Sequence, residues 1–187
     1  MNHVYILSGP GGCGKDSIIK ALVADQSLNL VRGVSATSRP KRIGEIEGVN
    51  RYYYSKDKFK KAISDGNILE YEIMDSNGEY YGTPKQETND LLDNHNIIFD
   101  KMAFGAMVLK DYFKENATTI FIDATDAELK RRLSEASRVG ESDNVQRRLE
   151  QGHKEREYKP RFDHRLENHD GELNSVVDQI KRIIKSS

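Results

Sequence analysis

The sequence predicts an α/β fold, a parallel sheet covered by helices on both faces, and three observations carry that reading. Short apolar runs at Val4–Ser8, Asn96–Asp100 and Thr118–Asp123 are each followed by a helical pattern, over Ser17–Asp25, Ala103–Glu115 and Asp126–Ala136. Runs with so little polar alternation suit strands buried on both faces, as in a parallel sheet. The stretch Glu172–Lys185 places Leu173, Val176, Val177, Ile180, Ile183 and Ile184 on one side of a closing helix.

The first strand leads into the most informative stretch of the chain. Ile6-Leu7-Ser8-Gly9-Pro10-Gly11-Gly12-Cys13-Gly14-Lys15-Asp16-Ser17 reads as a strand, a glycine-rich turn, a lysine and a helix start. The spacing from Gly9 to Gly14-Lys15 is that of a phosphate-binding loop, GxxxxGK. Glycines there let successive backbone N–H groups converge on a phosphate without side-chain clash. The helix points its positive end at the same place, and Lys15 adds charge for the β- and γ-phosphates. Gly9 to Ser17 is therefore the expected nucleotide loop of a P-loop core. The residue after Lys15 should be Ser or Thr, to ligate Mg²⁺; here it is Asp16, followed by Ser17. A carboxylate is a hard oxygen ligand, so Mg²⁺ is expected, held at Asp16 and Ser17 directly or through water.

The second strand–helix unit begins only near residue 96. Residues 33–83 are rich in β-branched residues, turn glycines and tyrosines, which predicts a small, mostly β insertion with one helix over Ser55–Asp65. It ends at Thr83-Pro84-Lys85-Gln86, which reads as a capping box with proline at the first helical position. A second capping box, Thr125-Asp126-Ala127-Glu128, opens the helix over Asp126–Ala136. Gly140 and small polar residues between two arginine-bearing helices make 134–146 a candidate lid. The expected organisation is a core of residues 1–32 and 84–187, with the insertion at 33–83.

Composition narrows the partners. Charged residues make up 32% of the 187, yet the net charge is −1, so there is no global basic field for nucleic acid. Basic residues cluster instead at Arg39-Pro40-Lys41-Arg42 and Arg147-Arg148, which suits a small anion. Arginine forks match phosphate oxygens bidentately, and the hydroxyls of Ser35, Thr37 and Ser38 complete a second phosphate site; a solvated basic turn is the alternative. Cys13 is the one cysteine, so no intramolecular disulfide forms and a reducing compartment is expected. No signal-peptide pattern and no membrane-length apolar run occur. The expectation is a soluble cytoplasmic monomer or homodimer acting on small nucleotides, with neither nucleic acid nor membrane as partner.

Gly-Pro-x-Gly-x-Gly-Lys, Val-Ser-Ala-Thr-x-Arg-x-x-Arg-x-Gly-Glu, Ile-Leu-Glu-Tyr and Tyr-Tyr-Gly-Thr occur in this order from Gly9 to Thr83. Together they resemble the guanylate kinases, and the resemblance spans nearly the whole chain. It implies a nucleoside-monophosphate-binding insertion, a helical lid and transfer of the ATP γ-phosphoryl to GMP or dGMP, giving ADP and GDP or dGDP. It also implies roles. Ser35, Arg39, Arg42 and Tyr81 would hold the acceptor phosphate, with Arg51 beside them. Glu70 would accept from guanine N–H groups and Thr83 would bond O6. Asp100 would sit near Mg²⁺. Lys15, Arg42, Arg132, Arg138 and Arg148 would neutralise the transferring group. Asn168 matches a position that contacts adenine, although a turn asparagine fits its Asn-His-Asp-Gly context equally.

The chain also departs from that pattern. Asn50-Arg51 stands where the family has Asp-Tyr, Met102 replaces a second acid that helps to hold guanine, and two extra residues lie around Ser76–Gly78. Gly-Lys-Asp-Ser, Asn77-Gly78-x-Tyr80-Tyr81-Gly82 and Asn168-x-Asp170-Gly171-x-Leu173 resemble ribose 1,5-bisphosphate phosphokinase. A sugar-phosphate kinase or a nucleoside monophosphate kinase of relaxed specificity is thus the alternative. A catalytically inactive binding module is the third reading, opposed by the intact Lys15 and glycine run.

Overall fold

The computed structural model describes residues 2–74, 78–136 and 142–187, with backbone alone at 136 and 142–144. The core is a five-stranded parallel sheet of β1 (Val4–Ser8), β2 (Leu30–Arg32), β7 (Asn96–Asp100), β8 (Ala117–Asp123) and β9 (His164–Glu167), in the order β2-β7-β1-β8-β9. β1 sits at its centre, and its side chains alternate between two cores. Tyr5 and Leu7 join Ile18, Ile19 and Leu22 of α1 (Lys15–Val23) and Val176, Val177 and Ile180 of α7 (Leu173–Ser186). Val4 and Ile6 join Ala106 and Leu109 of α4 (Ala103–Phe113), together with Phe121 and Phe162. Both faces are dry, and this explains the lack of polar alternation along the strand.

A second, mixed sheet comes from β3 (Ala36–Thr37), β4 (Tyr52–Tyr53), β5 (Ile68–Ile73) and β6 (Tyr80–Pro84), in the order β4-β3-β6-β5. β3 pairs parallel to β4, while β6 runs antiparallel to both β3 and β5. Between β4 and β5 lies α2 (Lys56–Ser64), capped by the Ser55 hydroxyl, which accepts from Lys58 N–H at 3.1 Å. The chain returns to the core sheet through α3 (Lys85–Leu92). The remaining helices are α5 (Asp126–Ala136) and α6 (Ser142–Glu157). Among the described residues no helix is long and apolar enough to cross a membrane.

The expected elements recur with shifted ends, and each shift has a local cause. α1 starts at Lys15 rather than Ser17, because Gly14 takes a left-handed φ of 97° and serves as N-cap. α4 stops at Phe113 where Lys114 turns to φ 53°, ahead of a short 3₁₀ turn. The capping box at Thr125 forms: its hydroxyl accepts from Glu128 N–H, and Glu128 accepts from Thr125 N–H at 2.9 Å. The one at Thr83 does not. Thr83 lies in β6, Pro84 is the N-cap of α3, and among the described residues no side chain caps that helix.

Candidate active site

β1, β7 and β8 end side by side, with Leu7 in register with Asp100 and with Ile120, so β1 delivers the glycine loop beside Asp100. Gly9 has no room for a side chain: a Cβ would sit 1.9 Å from the Ile122 carbonyl oxygen, at φ 135°. The loop thus packs directly on β8. Lys15 Nζ donates to the Gly9 carbonyl at 2.6 Å and lies 3.8 Å from the Asp100 carboxylate. Burial pulls its pKa down, but acceptance by the Cys13 sulfur and the carboxylates of Asp100 and Glu155 outweigh that, so the ammonium stays above its ordinary value. Cys13 is fully buried and its thiol is pushed up by that burial, which removes it as a nucleophile.

The loop is braced from behind. Asn168 is buried, and its side-chain amide donates to the Cys13 carbonyl at 2.8 Å, while its buried Oδ1 has no partner among the described residues. Arg132 donates to the Asn168 carbonyl at 2.9 Å and to Asp170 at 2.8 Å, and it approaches the Gly12 carbonyl at 3.4 Å. Arg148, exposed on α6, lies over Gly11, where a Cβ would meet its guanidinium at 3.3 Å. Asp16 is exposed and paired with Arg32 at 2.7 Å, and Ser17 is exposed beside it.

A cavity of about 370 Å³ opens between this loop and the second sheet. Gly9, Gly11, Lys15 and Arg148 line one end; Ser35, Arg51, Tyr81, Glu70, Lys101 and Met102 line the other. At that far end Lys101 Nζ donates to Glu70 Oε1 at 2.7 Å, to Ser35 Oγ at 2.9 Å and to the Thr83 hydroxyl. Thr83 in turn donates to Glu70 Oε1 at 2.6 Å. Gly105 of α4 leaves space for this carboxylate, since a Cβ there would lie 2.9 Å from Glu70 Oε2. Two further acids complete the walls. Burial raises the pKa of Glu155, which accepts from Ser8 Oγ and from Ala103 N–H at 2.6 Å. Burial, then Glu70 and Glu155, raises that of Glu72.

This two-ended cavity, with a phosphate loop facing a carboxylate on a second sheet, goes with a match along the whole sequence. A family profile described as "Guanylate kinase" matches residues 1–187. The chain belongs to the guanylate kinase family. The guanylate kinases of Mycoplasmoides gallisepticum and Porphyromonas gingivalis are 34% and 35% identical to it over 186 residues. Those alignments cover 97% and 98% of this chain and 91% and 97% of theirs. A crystal structure of guanylate kinase from Anaplasma phagocytophilum shares the fold, with a TM-score of 0.75 at 24% identity, covering 99% of this chain and 85% of that one.

Within the guanylate kinase frame, the structure gathers Lys15, Asp100, Ser35, Arg51, Glu70, Tyr81 and Arg148 around one cavity. Thr83 is fully buried behind Glu70 and Lys101, with its hydroxyl spent between them. Arg39 forms a bidentate pair with Glu45, at 2.8 and 2.5 Å, which holds that carboxyl well below the usual range. Arg42 is exposed, and its backbone N–H donates to the same carboxylate. Arg51 lies over the Tyr81 ring at 5.7 Å, and burial together with Arg39 draws its pKa down. Arg138 lies outside the described residues, as does the middle of the candidate lid. Lys101, Glu72 and Glu155 were not foreseen. Lys101 had a signal, a cation between Asp100 and Met102 at a strand end; Glu155 on polar α6 had none.

Proposed function

We infer that this chain transfers the γ-phosphoryl group of ATP to GMP, giving ADP and GDP, and accepts dGMP likewise. The observation that carries the assignment is the opposition of Lys15 and Glu70 across one cavity in a member of this family. The glycine loop from Gly9 to Ser17 binds the donor phosphates, with Asn168 and Arg132 fixing the loop from behind. Residues 33–83 act as the acceptor-binding insertion, and 134–146 as a lid.

The chemistry needs positioning and charge neutralisation more than a covalent group. Lys15, Arg138 and Arg148 neutralise the transferring phosphoryl on the donor side and Arg42 on the acceptor side, while Arg132, expected in the same role, acts from where it stands by holding the loop. Ser35, Arg39, Arg51 and Tyr81 seat the acceptor phosphate. An anion near Arg51 relieves the charge crowding that Arg39 imposes on it. Arg39 already has a bidentate carboxylate partner in Glu45, so phosphate binding is an exchange of partners for a charged group, not a fresh desolvation.

Mg²⁺ fits this donor set. Such ions are commonly held by one or two carboxylates and otherwise by substrate phosphates. Asp100 offers a carboxylate inside the cavity, while Asp16, though paired with Arg32, and Ser17 stand exposed at the start of α1. Among the described residues no group of three His, Cys, Asp or Glu could hold a metal, so phosphate oxygens would supply most of its shell. Asp100, with Asp16 and Ser17 directly or through water, would hold the ion, which would supply positive charge to the phosphates.

The test is a coupled ADP-release assay with ATP and GMP, dGMP, IMP, AMP, UMP or ribose 1,5-bisphosphate. Turnover of GMP and dGMP well above the sugar phosphate is expected. If ribose 1,5-bisphosphate outcompetes every nucleotide, the assignment fails.

A further inference from the structure

The far end of the cavity is not a bare carboxylate. Glu70 and Lys101 side chains are each 8% exposed and 2.7 Å apart, so an ammonium donor stands directly beside the carboxylate acceptor. Glu70 Oε1 is already taken by Lys101 and Thr83, which leaves Oε2 as the open acceptor. The neighbouring wall is Met102, whose thioether is at best a weak acceptor. Lys101 carries three donors and no acceptor, and Glu70, Ser35 and Thr83 hold all three, so a ligand gains one by displacing the Ser35 hydroxyl. A base entering this end therefore meets one donor and one strong acceptor, adjacent to each other.

We propose that Lys101 is a specificity-determining residue, which makes this subsite read the lactam edge of a 6-oxopurine and ignore its 2-amino group. The inference rests on the acceptor assignment above. The base C6=O takes the place of Ser35 Oγ on the Lys101 ammonium, and N1–H donates to Glu70 Oε2. The guanine 2-amino group needs a second acceptor, and the one available, Glu70 Oε1, is held by Lys101. Hypoxanthine presents the same C6=O and N1–H and lacks only the group that nothing reads. Adenine presents the reverse pattern, an acceptor at N1 and a donor at C6, against a fixed donor and acceptor. A site with buried hydrogen-bonding groups rejects a ligand that leaves them unpaired, and a group without a partner earns no selectivity.

The experiment measures kcat and KM for GMP, IMP and AMP, at saturating ATP, in the wild type and in Lys101→Met. The wild type is expected to use GMP and IMP with kcat/KM values within tenfold of each other, and AMP at least a hundredfold less well. In Lys101→Met, Glu70 Oε1 keeps only the Thr83 hydroxyl, so one of its lone pairs opens to the 2-amino group while Oε2 takes N1–H. The GMP-to-IMP ratio should then rise at least tenfold, through KM and not through kcat. Lys101→Gln, which keeps a donor beside Glu70, guards against loss of folding in the methionine variant and should fall between the two. A wild-type preference for GMP over IMP of a hundredfold or more overturns the proposal while leaving the kinase assignment intact. A ratio unchanged by either variant overturns it too. Absence of turnover with any purine nucleotide removes both, a different signature from either of these.

Discussion

Lys15 and Lys101 face each other across one cavity, and the way each ammonium is held separates its two ends. Lys15 donates to the Gly9 carbonyl only six residues away, at 2.6 Å, and its ion pair with Asp100 is longer, at 3.8 Å. Lys101 draws on Glu70 and Thr83 of the second sheet and on Ser35, 66 residues away and just before β3. Backbone carbonyls hold the first, and side chains that a few substitutions could exchange hold the second. The lesson is a division of labour. A backbone-built loop offers the same charge to any nucleotide phosphate, whereas a side-chain network can be retuned for a different base.

The comparison breaks most sharply at the Lys101 end. Glu70→Ala leaves a buried ammonium with only neutral partners, and loss of one member of a buried ion pair typically costs about 3–5 kcal/mol. Urea denaturation should show a loss of that size. Lys15→Ala should instead leave the urea midpoint near its wild-type value and remove about 2–4 kcal/mol of transition-state stabilisation, read as kcat. Between these lies the brace. Asn168→Ala strands the buried Cys13 carbonyl, a cost of about 1–3 kcal/mol, and should also raise the KM for ATP.

The smallest effect is a pH dependence on the donor side. Glu128 is held down to about 2, first by the Thr125 hydroxyl and then by the backbone N–H groups of Thr125 and Asp170. A folded pKa depressed from the ordinary 4.5 stabilises the protein above that value and loses the contribution as pH falls towards 2. Urea midpoints of the wild type and Glu128→Gln should therefore differ at pH 6 and draw together as pH falls from 4.5 towards 2. A constant gap across that range would count against the capping carboxylate.

The same contrast decides what could be read from the chain. The core strands and the glycine loop were legible because their signals are local: apolar runs, GxxxxGK, and Thr125 with Glu128. Element ends moved wherever a backbone conformation decided them, as at Gly14 and Lys114. Thr83-Pro84-Lys85-Gln86 has the composition of a helix cap, but its hydroxyl is claimed by Glu70 and Lys101 from other elements. Glu70 was visible within Ile-Leu-Glu-Tyr, whereas its buried cation was not. Pairing across 31 residues leaves no periodic trace in the sequence. Glu155 is the extreme case, a carboxylate on a polar helix that proves to be buried against β1 and α4.

One measurement bears most directly on the division of labour between the two ends. Steady-state kcat and kcat/KM are determined for GMP and IMP in the wild type, Lys15→Ala and Thr83→Val. Lys15→Ala should lower kcat for both bases by the same factor, about thirtyfold or more on the scale of one preorganised charge contact, and leave their ratio unchanged. Thr83→Val removes a hydroxyl bonded to Glu70 and Lys101, so it should change the GMP-to-IMP ratio while kcat for GMP stays near wild type. A base ratio that shifts in Lys15→Ala, or an equal loss of kcat for both bases in Thr83→Val, would contradict it.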